Sequence, residues 1–289
     1  MNLVYDNGVV APEKIVGDRI IRLIYGERAN ERASLATLAS RKALSLWYGA
    51  YCRSGHSRQL IAPFIAENNI DMTGCSGSYK NFAEFFARQK RGIVFPEEAT
   101  QLGAPCEGLA SAYTDIDPDT MVAAKGSLYS LAELFGDAAL AEQYRGGSCL
   151  RVRLTPANYH RMHFFDDGEV TDATYIDGDL YSVNPLAVEK IARLYCRNKR
   201  VRVQVATQQF GNVVIMEVGA TFVGSIVHKF LVGDKARRGR QASYFLPGGS
   251  LVLVYFQPGA VTLDADMLAR TAQHIETRVN VGTVVGRRP

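Results

Sequence analysis

The feature that most constrains this 289-residue chain is an alternation of apolar and polar residues beyond Gly103. Leu150, Val152 and Leu154 alternate with arginines, and Val201–Val205 follows the same pattern. Apolar residues at every second position lie on one face of a β-strand, so the alternation predicts half-buried strands. Uninterrupted apolar runs predict more deeply buried strands at residues 213–216 and 251–256.

The N-terminal quarter has a different period. Between Lys14 and Ile70, apolar residues recur at spacings of three and four, which is the period of a helix. Two stripes carry this pattern: Ile20, Leu23, Ile24 and Leu44, Trp47, Tyr48, Tyr51. Charged residues flank them: Arg19, Arg22, Glu27, Arg28, Arg41 and Lys42. Such helices either pack on a core or lie in a membrane interface.

Further helices are predicted within the β-rich region and just before it, at Tyr79–Arg91, Leu128–Phe135 and Leu186–Tyr195. Residues 69–78 collect Gly, Ser, Asn and Asp, which is typical of a linker. The predicted fold class is therefore α+β, a β-rich core preceded by an N-terminal helical segment. We place the boundary between a segment 1–75, which can associate with a membrane, and a core 76–289.

Charge and apolar content exclude several classes of protein. With Lys+Arg 33 against Asp+Glu 29, the formal charge of +4 is too small to indicate a nucleic-acid-binding protein. Apolar runs stay far shorter than the roughly 18 to 20 residues of a transmembrane helix, and the N-terminus lacks the pattern of a signal peptide, so we expect a cytoplasmic protein. The five widely spaced cysteines indicate reduced thiols rather than a disulfide framework or a zinc site.

Two of the five histidines, His160 and His163, lie three residues apart directly after a predicted strand. A pair of this kind suits acid–base chemistry, although solvated or capping histidines give the same pattern. A His-x-x-His pair can also begin a metal site, but a catalytic zinc needs a third protein ligand and the sequence offers no obvious cluster for it. We therefore predict no metal.

Two glycine-containing turns complete the set of candidates. Gly248 and Gly249 precede Ser250 at the start of a predicted buried strand. Such glycines let a serine hydroxyl approach the carbonyl carbon of its own preceding peptide, although Gly-Gly-Ser turns are also common without any function. Glu107 is a lone carboxylate in the turn 103–108, where an ordinary surface acid is the simplest interpretation.

Together these elements resemble the phosphatidylserine decarboxylase family across nearly the whole chain. Seven elements match the family's motifs in order: Phe82–Arg88 (F-x-x-F-F-x-R), Ala104–Gly108 (A-P-x-D-G), Lys125–Leu131 (K-G-x-x-Y-S-L), Tyr159–His163 (Y-H-R-x-H), Val183–Pro185, Glu217–Ile226 and Gly248–Ser250. Asn68–Met72 resembles a stretch found in one subgroup of the family.

Three departures from the family pattern stand out. Glu107 replaces the Asp of A-P-x-D-G, residues 239–245 lack an acid and a glycine usual before the cleavage site, and Leu251 replaces a Thr or Ser after it. The first bears on maturation chemistry. The other two bear on the substrate or on the rate.

The resemblance implies a proenzyme that cleaves itself between Gly249 and Ser250 into a β chain 1–249 and an α chain 250–289. A pyruvoyl group derived from Ser250 would then form a Schiff base with phosphatidylserine and release CO₂, giving phosphatidylethanolamine. We assign His163 as the base for cleavage, Glu107 as its orienting acid, and His160 to the proton returned to the substrate.

Two alternatives stay open at this point. Residues 239–243 leave room for a pyruvoyl-dependent decarboxylase of a soluble amino acid or amine, and Glu107 leaves room for a processing-dead lipid-binding homologue. The lipid-acting enzyme is expected to bind the cytoplasmic side of a membrane peripherally through its N-terminal helices. The family resemblance also implies a homodimer.

Overall fold

A computed structural model describes residues 2–16, 18–25, 42–75, 77–124, 127–220 and 226–289. Its strands are β1 (Leu3–Asp6), β2 (Val9–Pro12), β3 (Gln101–Gly103), β4 (Gly108–Thr114), β5 (Met121–Ala124), β6 (Ser127–Tyr129), β7 (Ser148–Leu154), β8 (Arg161–His163), β9 (Gly168–Ile176), β10 (Arg200–Thr207), β11 (Asn212–Gly219), β12 (Ile226–His228), β13 (Lys235–Ala236), β14 (Gln241–Phe245), β15 (Ser250–Phe256), β16 (Thr262–Leu263), β17 (Ile275–Val279) and β18 (Val284–Arg287).

The α-helices are α1 (Asp18–Tyr25), α2 (Lys42–Arg53), α3 (Ile61–Asn68), α4 (Phe82–Phe86), α5 (Leu131–Phe135), α6 (Ala138–Glu142), α7 (Pro185–Lys190), α8 (Leu194–Arg197) and α9 (Ala265–Ala272), and a 3₁₀ helix spans Gly55–Leu60. Strands and helices are both present and the strands dominate. The predicted α+β class is therefore confirmed.

A ten-stranded sheet in the order β13-β9-β10-β11-β15-β7-β4-β17-β1-β2 organises the molecule. Neighbouring strands are antiparallel except β1 and β17, which run parallel. β15 lies between β11 and β7, and all of its residues are buried. Core clusters cover both faces of the sheet: Val254 belongs to one cluster and Leu253 to the other.

The strands predicted from alternation and from apolar runs are confirmed as β7, β10, β11 and β15. β7 is nevertheless buried on both faces, because Arg153 forms ion pairs with Glu13 (2.9 Å) and with Glu276 (2.5 Å) beneath the N-terminal segment. Paired arginines can be buried where unpaired ones would remain in water. The alternation therefore predicted the strand correctly, but its prediction that only one face of the strand would be buried is wrong.

Helices within and before the β region are shorter than predicted. The helix predicted over Tyr79–Arg91 covers only Phe82–Phe86, since the Asn81 side chain caps it by accepting from Glu84 N and Ala87 ends it. Leu128–Phe135 divides between β6 and α5, and Leu186–Tyr195 between α7 and α8.

The N-terminal segment differs from the prediction in its first residues. β1 and β2 belong to the main sheet, with Leu3 paired to Ile275, so the helical part begins only at Asp18. The proposed boundary at residue 75 stays a prediction.

The apolar stripe of α1 lies partly against the core, because Ile21 and Ile24 pack on one of its clusters and Tyr25 is buried. On α2, Trp47 is 66% exposed. Glu27, Arg28 and Arg41 lie outside the described residues, as do Lys125, Gly126, Val223–Ser225 and the side chains of Arg19, Ile20, Leu23, Lys42 and Leu44. Among the described residues, no helix has the length and apolar character needed to cross a bilayer.

Candidate active site

Ser250 is the first residue of β15 and lies in the middle of the sheet, paired with Gly219 on one side and Leu154 on the other. Its side chain is fully buried. The loop before it turns through Gly248, whose φ of 146° lies in a region that glycine adopts readily and other residues rarely do. The Gly249–Ser250 peptide therefore lies at the junction between a glycine-containing loop and the central strand β15.

His160 contacts Ser250: its Nδ1 lies 3.3 Å from the serine Oγ, and its Nε2 lies 2.9 Å from the carbonyl oxygen of Thr155. A carbonyl oxygen only accepts, so Nε2 carries the proton and Nδ1 is left to accept from the Ser250 hydroxyl. The ring of Phe86 stacks on the imidazole at 4.0 Å and fixes its plane. This is the arrangement of a hydroxyl beside a base.

Burial holds His160 in the neutral form that this contact needs. Burial first, and then the positive charge of Arg88, lower the pKa of His160 from 6.5 to about 3. At neutral pH the imidazole is therefore uncharged and able to accept a proton.

We expect the pH dependence of chain cleavage to reflect this shift. An ordinary histidine base would become protonated below its pKa, and cleavage would slow about tenfold for each further pH unit. Because the pKa of His160 is lowered to about 3, the neutral form persists, and cleavage should keep its rate between about pH 8 and about pH 5. The loss of full-length chain with time, followed in buffers across that range, measures this. A steep fall below about pH 6.5 would show that another group is the base.

Glu107 reaches His160 through two intermediate residues. Its Oε1 accepts from Asn158 Nδ2 at 2.9 Å, while Asn158 Oδ1 accepts from Thr155 N at 2.7 Å and from Thr155 Oγ1 at 2.8 Å. Thr155 in turn supplies the carbonyl that binds His160. Glu107 thus contacts the turn that orients the imidazole, and we expect it to act as a positioning residue that braces this turn.

His163 lies elsewhere in the network. Its Nδ1 donates to the carbonyl oxygen of Gly239 at 2.8 Å, and its Nε2 accepts from Tyr159 Oη at 3.2 Å. Its backbone N–H donates to the carbonyl oxygen of Pro105, beside the Glu107 turn. Among the described contacts, no hydrogen bond joins His163 to Glu107 or to Ser250, which corrects the predicted pairing; the roles of the two histidines stay predictions.

A pair of substitutions at Glu107 tests the bracing role. Gln keeps an oxygen that can accept from Asn158, so Glu107→Gln should cleave within about threefold of the wild-type rate. Glu107→Ala leaves the Asn158 amide without its partner, a loss of about 1–3 kcal/mol, and should slow cleavage about tenfold or more. The rates come from denaturing gels at timed intervals. A Gln variant as slow as the Ala variant would instead require the charge itself, as in a serine triad.

Sequence reasoning missed a second network, which runs from the buried Glu217 to the exposed Tyr175. Glu217 is fully buried; it accepts from the Ser243 hydroxyl and lies 2.5 Å from His228 Nε2. His228 Nδ1 accepts from Tyr175 Oη at 2.7 Å. An acid inside an apolar run, as at Glu217, was the available signal, since a buried carboxylate needs partners.

Two cavities adjoin the site. One of about 250 Å³ is lined by Gly248, Gly249 and Phe86, and by Ile21 and Ile24 of α1. The other, of about 490 Å³, is polar and is lined by residues that include Arg88, Lys90, Glu107 and Asn158. Within the described part of the chain, no group of His, Cys, Asp and Glu residues is arranged to hold a metal ion.

Comparison with known proteins gives concordant matches. The family model described as phosphatidylserine decarboxylase matches residues 79–287. A phosphatidylserine decarboxylase proenzyme of Ruminiclostridium cellulolyticum is 38% identical over 279 residues, covering 95% of this chain and 93% of the relative. Proenzymes of the same description from Clostridium perfringens (36% identical, 96% and 95% covered) and Desulfitobacterium hafniense (37% identical, 96% and 94% covered) are similar over the same extent.

Proposed function

The chain belongs to the phosphatidylserine decarboxylase family, and from that premise we propose that it cleaves itself at Gly249–Ser250 and converts phosphatidylserine to phosphatidylethanolamine and CO₂. The observation that carries the proposal is the buried contact of 3.3 Å between Ser250 Oγ and the unprotonated nitrogen of His160. It pairs a serine that follows two glycines with a base.

In the cleavage step, Ser250 Oγ attacks the carbonyl carbon of Gly249 and its proton passes to His160 Nδ1. The imidazole then gives that proton to the nitrogen of residue 250 as the C–N bond breaks, so the peptide bond is replaced by an ester and a free amine. Elimination then transfers the α-proton of residue 250 to the neutral His160 and breaks the Oγ–Cβ bond, so Gly249 leaves as a carboxylate and residue 250 becomes a dehydroalanine. Water releases its nitrogen as ammonia and leaves a pyruvoyl group on the α chain. The chains are then 1–249 and 250–289, as the resemblance implies.

The surroundings of Ser250 suit such a group, because the site is buried, lies beside His160 and borders the cavity at Gly248 and Gly249. The carbonyl of the pyruvoyl group would bind the substrate amine and draw electrons as CO₂ leaves. His160 stays beside that position after cleavage and is suited to return a proton to the substrate's α-carbon. His163 links Tyr159 to the backbone of Gly239 through its two ring nitrogens.

The apolar walls of the smaller cavity favour a lipid over a soluble amino acid, since Ile21, Ile24 and Phe86 offer acyl chains a surface next to Gly249. We propose that the protein binds the cytoplasmic side of a membrane peripherally, and the exposed Trp47 of α2 supports this proposal. We also propose a homodimer, for which the edge strand β2, with Val9 63% exposed, offers a surface.

Release of labelled CO₂ tests the proposed reaction. Processed protein should release it from carboxyl-labelled phosphatidylserine in mixed micelles and not from free serine. Release from serine alone would establish the soluble-substrate alternative, and a cleaved protein inert toward both would contradict the proposed activity.

Vesicle binding should depend on Trp47, the exposed aromatic residue of α2. Inserting an indole side chain into the interface contributes a few kcal/mol at most, so attachment is reversible. We expect Trp47→Ser to reduce co-sedimentation with phosphatidylserine vesicles about tenfold, and added salt to reduce it further by screening basic residues. Leu231→Ser, at another exposed apolar residue (76% exposed), is the matched control. An equal loss of vesicle binding in both variants would show that α2 is not the membrane contact.

A further inference from the structure

Arg88, just beyond α4, is a buried cation that the proposed reaction has not used. Its side chain packs over the Phe85 ring at 5.2 Å, and the residue is only 3% exposed. Nη2 donates to the carbonyl oxygens of Ala157 at 3.0 Å and Asn158 at 3.1 Å. Among the described residues, Nη1 is buried without a hydrogen-bond partner and no carboxylate pairs with the guanidinium.

A buried guanidinium without an anion is costly, because carbonyl dipoles replace only part of its lost hydration. The buried Arg153 is matched by Glu13 and Glu276. The buried Arg161 and Arg200 have no ion pair among the described contacts, but each of their guanidinium nitrogens donates to a carbonyl or amide oxygen, whereas Arg88 leaves Nη1 without a partner. We therefore expect a bound ligand to supply the anion that Arg88 lacks.

The position of Arg88 places that anion near His160. Arg88 lines the polar cavity of about 490 Å³, which shares the lining residues Glu13, Val16 and Thr155 with the cavity at Gly248 and Gly249. Phe86, two residues earlier, stacks on His160, and the charge of Arg88 contributes to the lowered pKa of that histidine. A substrate whose amine reaches residue 250 would have its other head-group atoms beside Arg88.

The head group of phosphatidylserine offers two anions, a carboxylate and a phosphodiester. A cation on the carboxylate would stabilise a charge that disappears as CO₂ leaves, and so would favour the ground state over the transition state. The phosphodiester keeps its charge throughout, so binding it costs no rate. We propose that Arg88 binds the phosphodiester of the substrate, an assignment that rests on the proposed function.

The first test separates binding from catalysis. In Arg88→Gln, the loss of a charge-assisted contact should raise KM for phosphatidylserine about tenfold or more, with kcat within about threefold of wild type. Arg278→Gln removes the same charge from the same cavity, but Arg278 is 45% exposed and paired with Asp6, so its KM should change less than about twofold. A fall in kcat at unchanged KM would make Arg88 only a support for the 157–158 turn and overturn the proposal.

The second test identifies the anion with two soluble probes. Glycerophosphoethanolamine carries the phosphodiester without the carboxylate, and serine carries the carboxylate without the phosphodiester. We expect glycerophosphoethanolamine to inhibit the wild-type enzyme and to lose about tenfold in potency in Arg88→Gln, with serine inhibition equal in both. Selective loss of serine inhibition would place the carboxylate at Arg88 and contradict the phosphodiester assignment.

Thermal stabilisation by glycerophosphoethanolamine keeps the proposal testable if Arg88→Gln does not fold or cleave. The wild-type protein should be stabilised, and Arg88→Lys, which keeps the charge without the forked donors, should be stabilised less. Equal stabilisation of both would count against Arg88. Because this readout needs no turnover, a wild-type protein that binds the probe but releases no CO₂ would contradict the proposed function and leave the anion site standing.

Discussion

Ser250→Ala is expected to abolish cleavage and, with it, all decarboxylation. The nucleophilic oxygen is removed, and the fold offers no other hydroxyl at the start of β15 to replace it. Denaturing electrophoresis should show one band near 31.8 kDa at every time point, and CO₂ release should not exceed the background. Alanine fits the buried position, so the melting temperature should stay close to that of the wild type.

Ser182→Ala is the matched control, since Ser182 lines the same cavity as Gly249 but has no contact with His160 among those described. It should cleave normally. Two chains from Ser250→Ala would move the cleavage site away from Gly249–Ser250.

His160→Ala is expected to slow cleavage by about 100-fold or more, the usual loss when a general base is removed. The imidazole carries the only unprotonated nitrogen that the described contacts place on Ser250, and the Thr155 carbonyl fixes its tautomer. Gel time courses over days measure the rate. Thermal melting of the variant checks that loss of the Phe86–His160 stack has not unfolded it.

The comparison variant is His163→Ala. Both ring nitrogens of His163 are engaged with Gly239 and Tyr159, so its loss should slow cleavage less than loss of His160 does. The roles predicted from the sequence require the reverse, with His160→Ala cleaved but unable to release CO₂. Cleavage of His160→Ala at the wild-type rate would restore His163 as the base.

The sequence predicted strands well where alternation or apolar runs were long, as at Leu150–Leu154 and Leu251–Phe256. It predicted helix lengths poorly, because the side chains of Asn81 and Ser130 cap α4 and α5, which therefore begin later than the apolar pattern predicts. The pattern at Val9 and Val10 did not predict a strand of the main sheet, because β2 lies at the edge of that sheet and its residues are exposed. Edge strands lack the buried face that makes the pattern visible.

The sequence suggested the candidate site residues, but it could not predict which of them contact one another. His160 and His163 lie three apart in the chain, and only the crossing of β15 beside the 155–160 turn decides which of them meets Ser250. Asn158 was given no role because an amide between an alanine and a tyrosine has no catalytic signature, although it carries the contact from Glu107 to Thr155. Contacts between residues distant in the chain depend on packing, which local patterns do not encode.

The intact mass of the wild-type chain after incubation tests the central claim most directly. The account predicts two species, residues 1–249 ending in a free carboxylate and residues 250–289 beginning with a pyruvoyl group in place of Ser250. Borohydride should add two hydrogens to the second species only. A single full-length mass after prolonged incubation at neutral pH, in protein that is folded, would contradict the account.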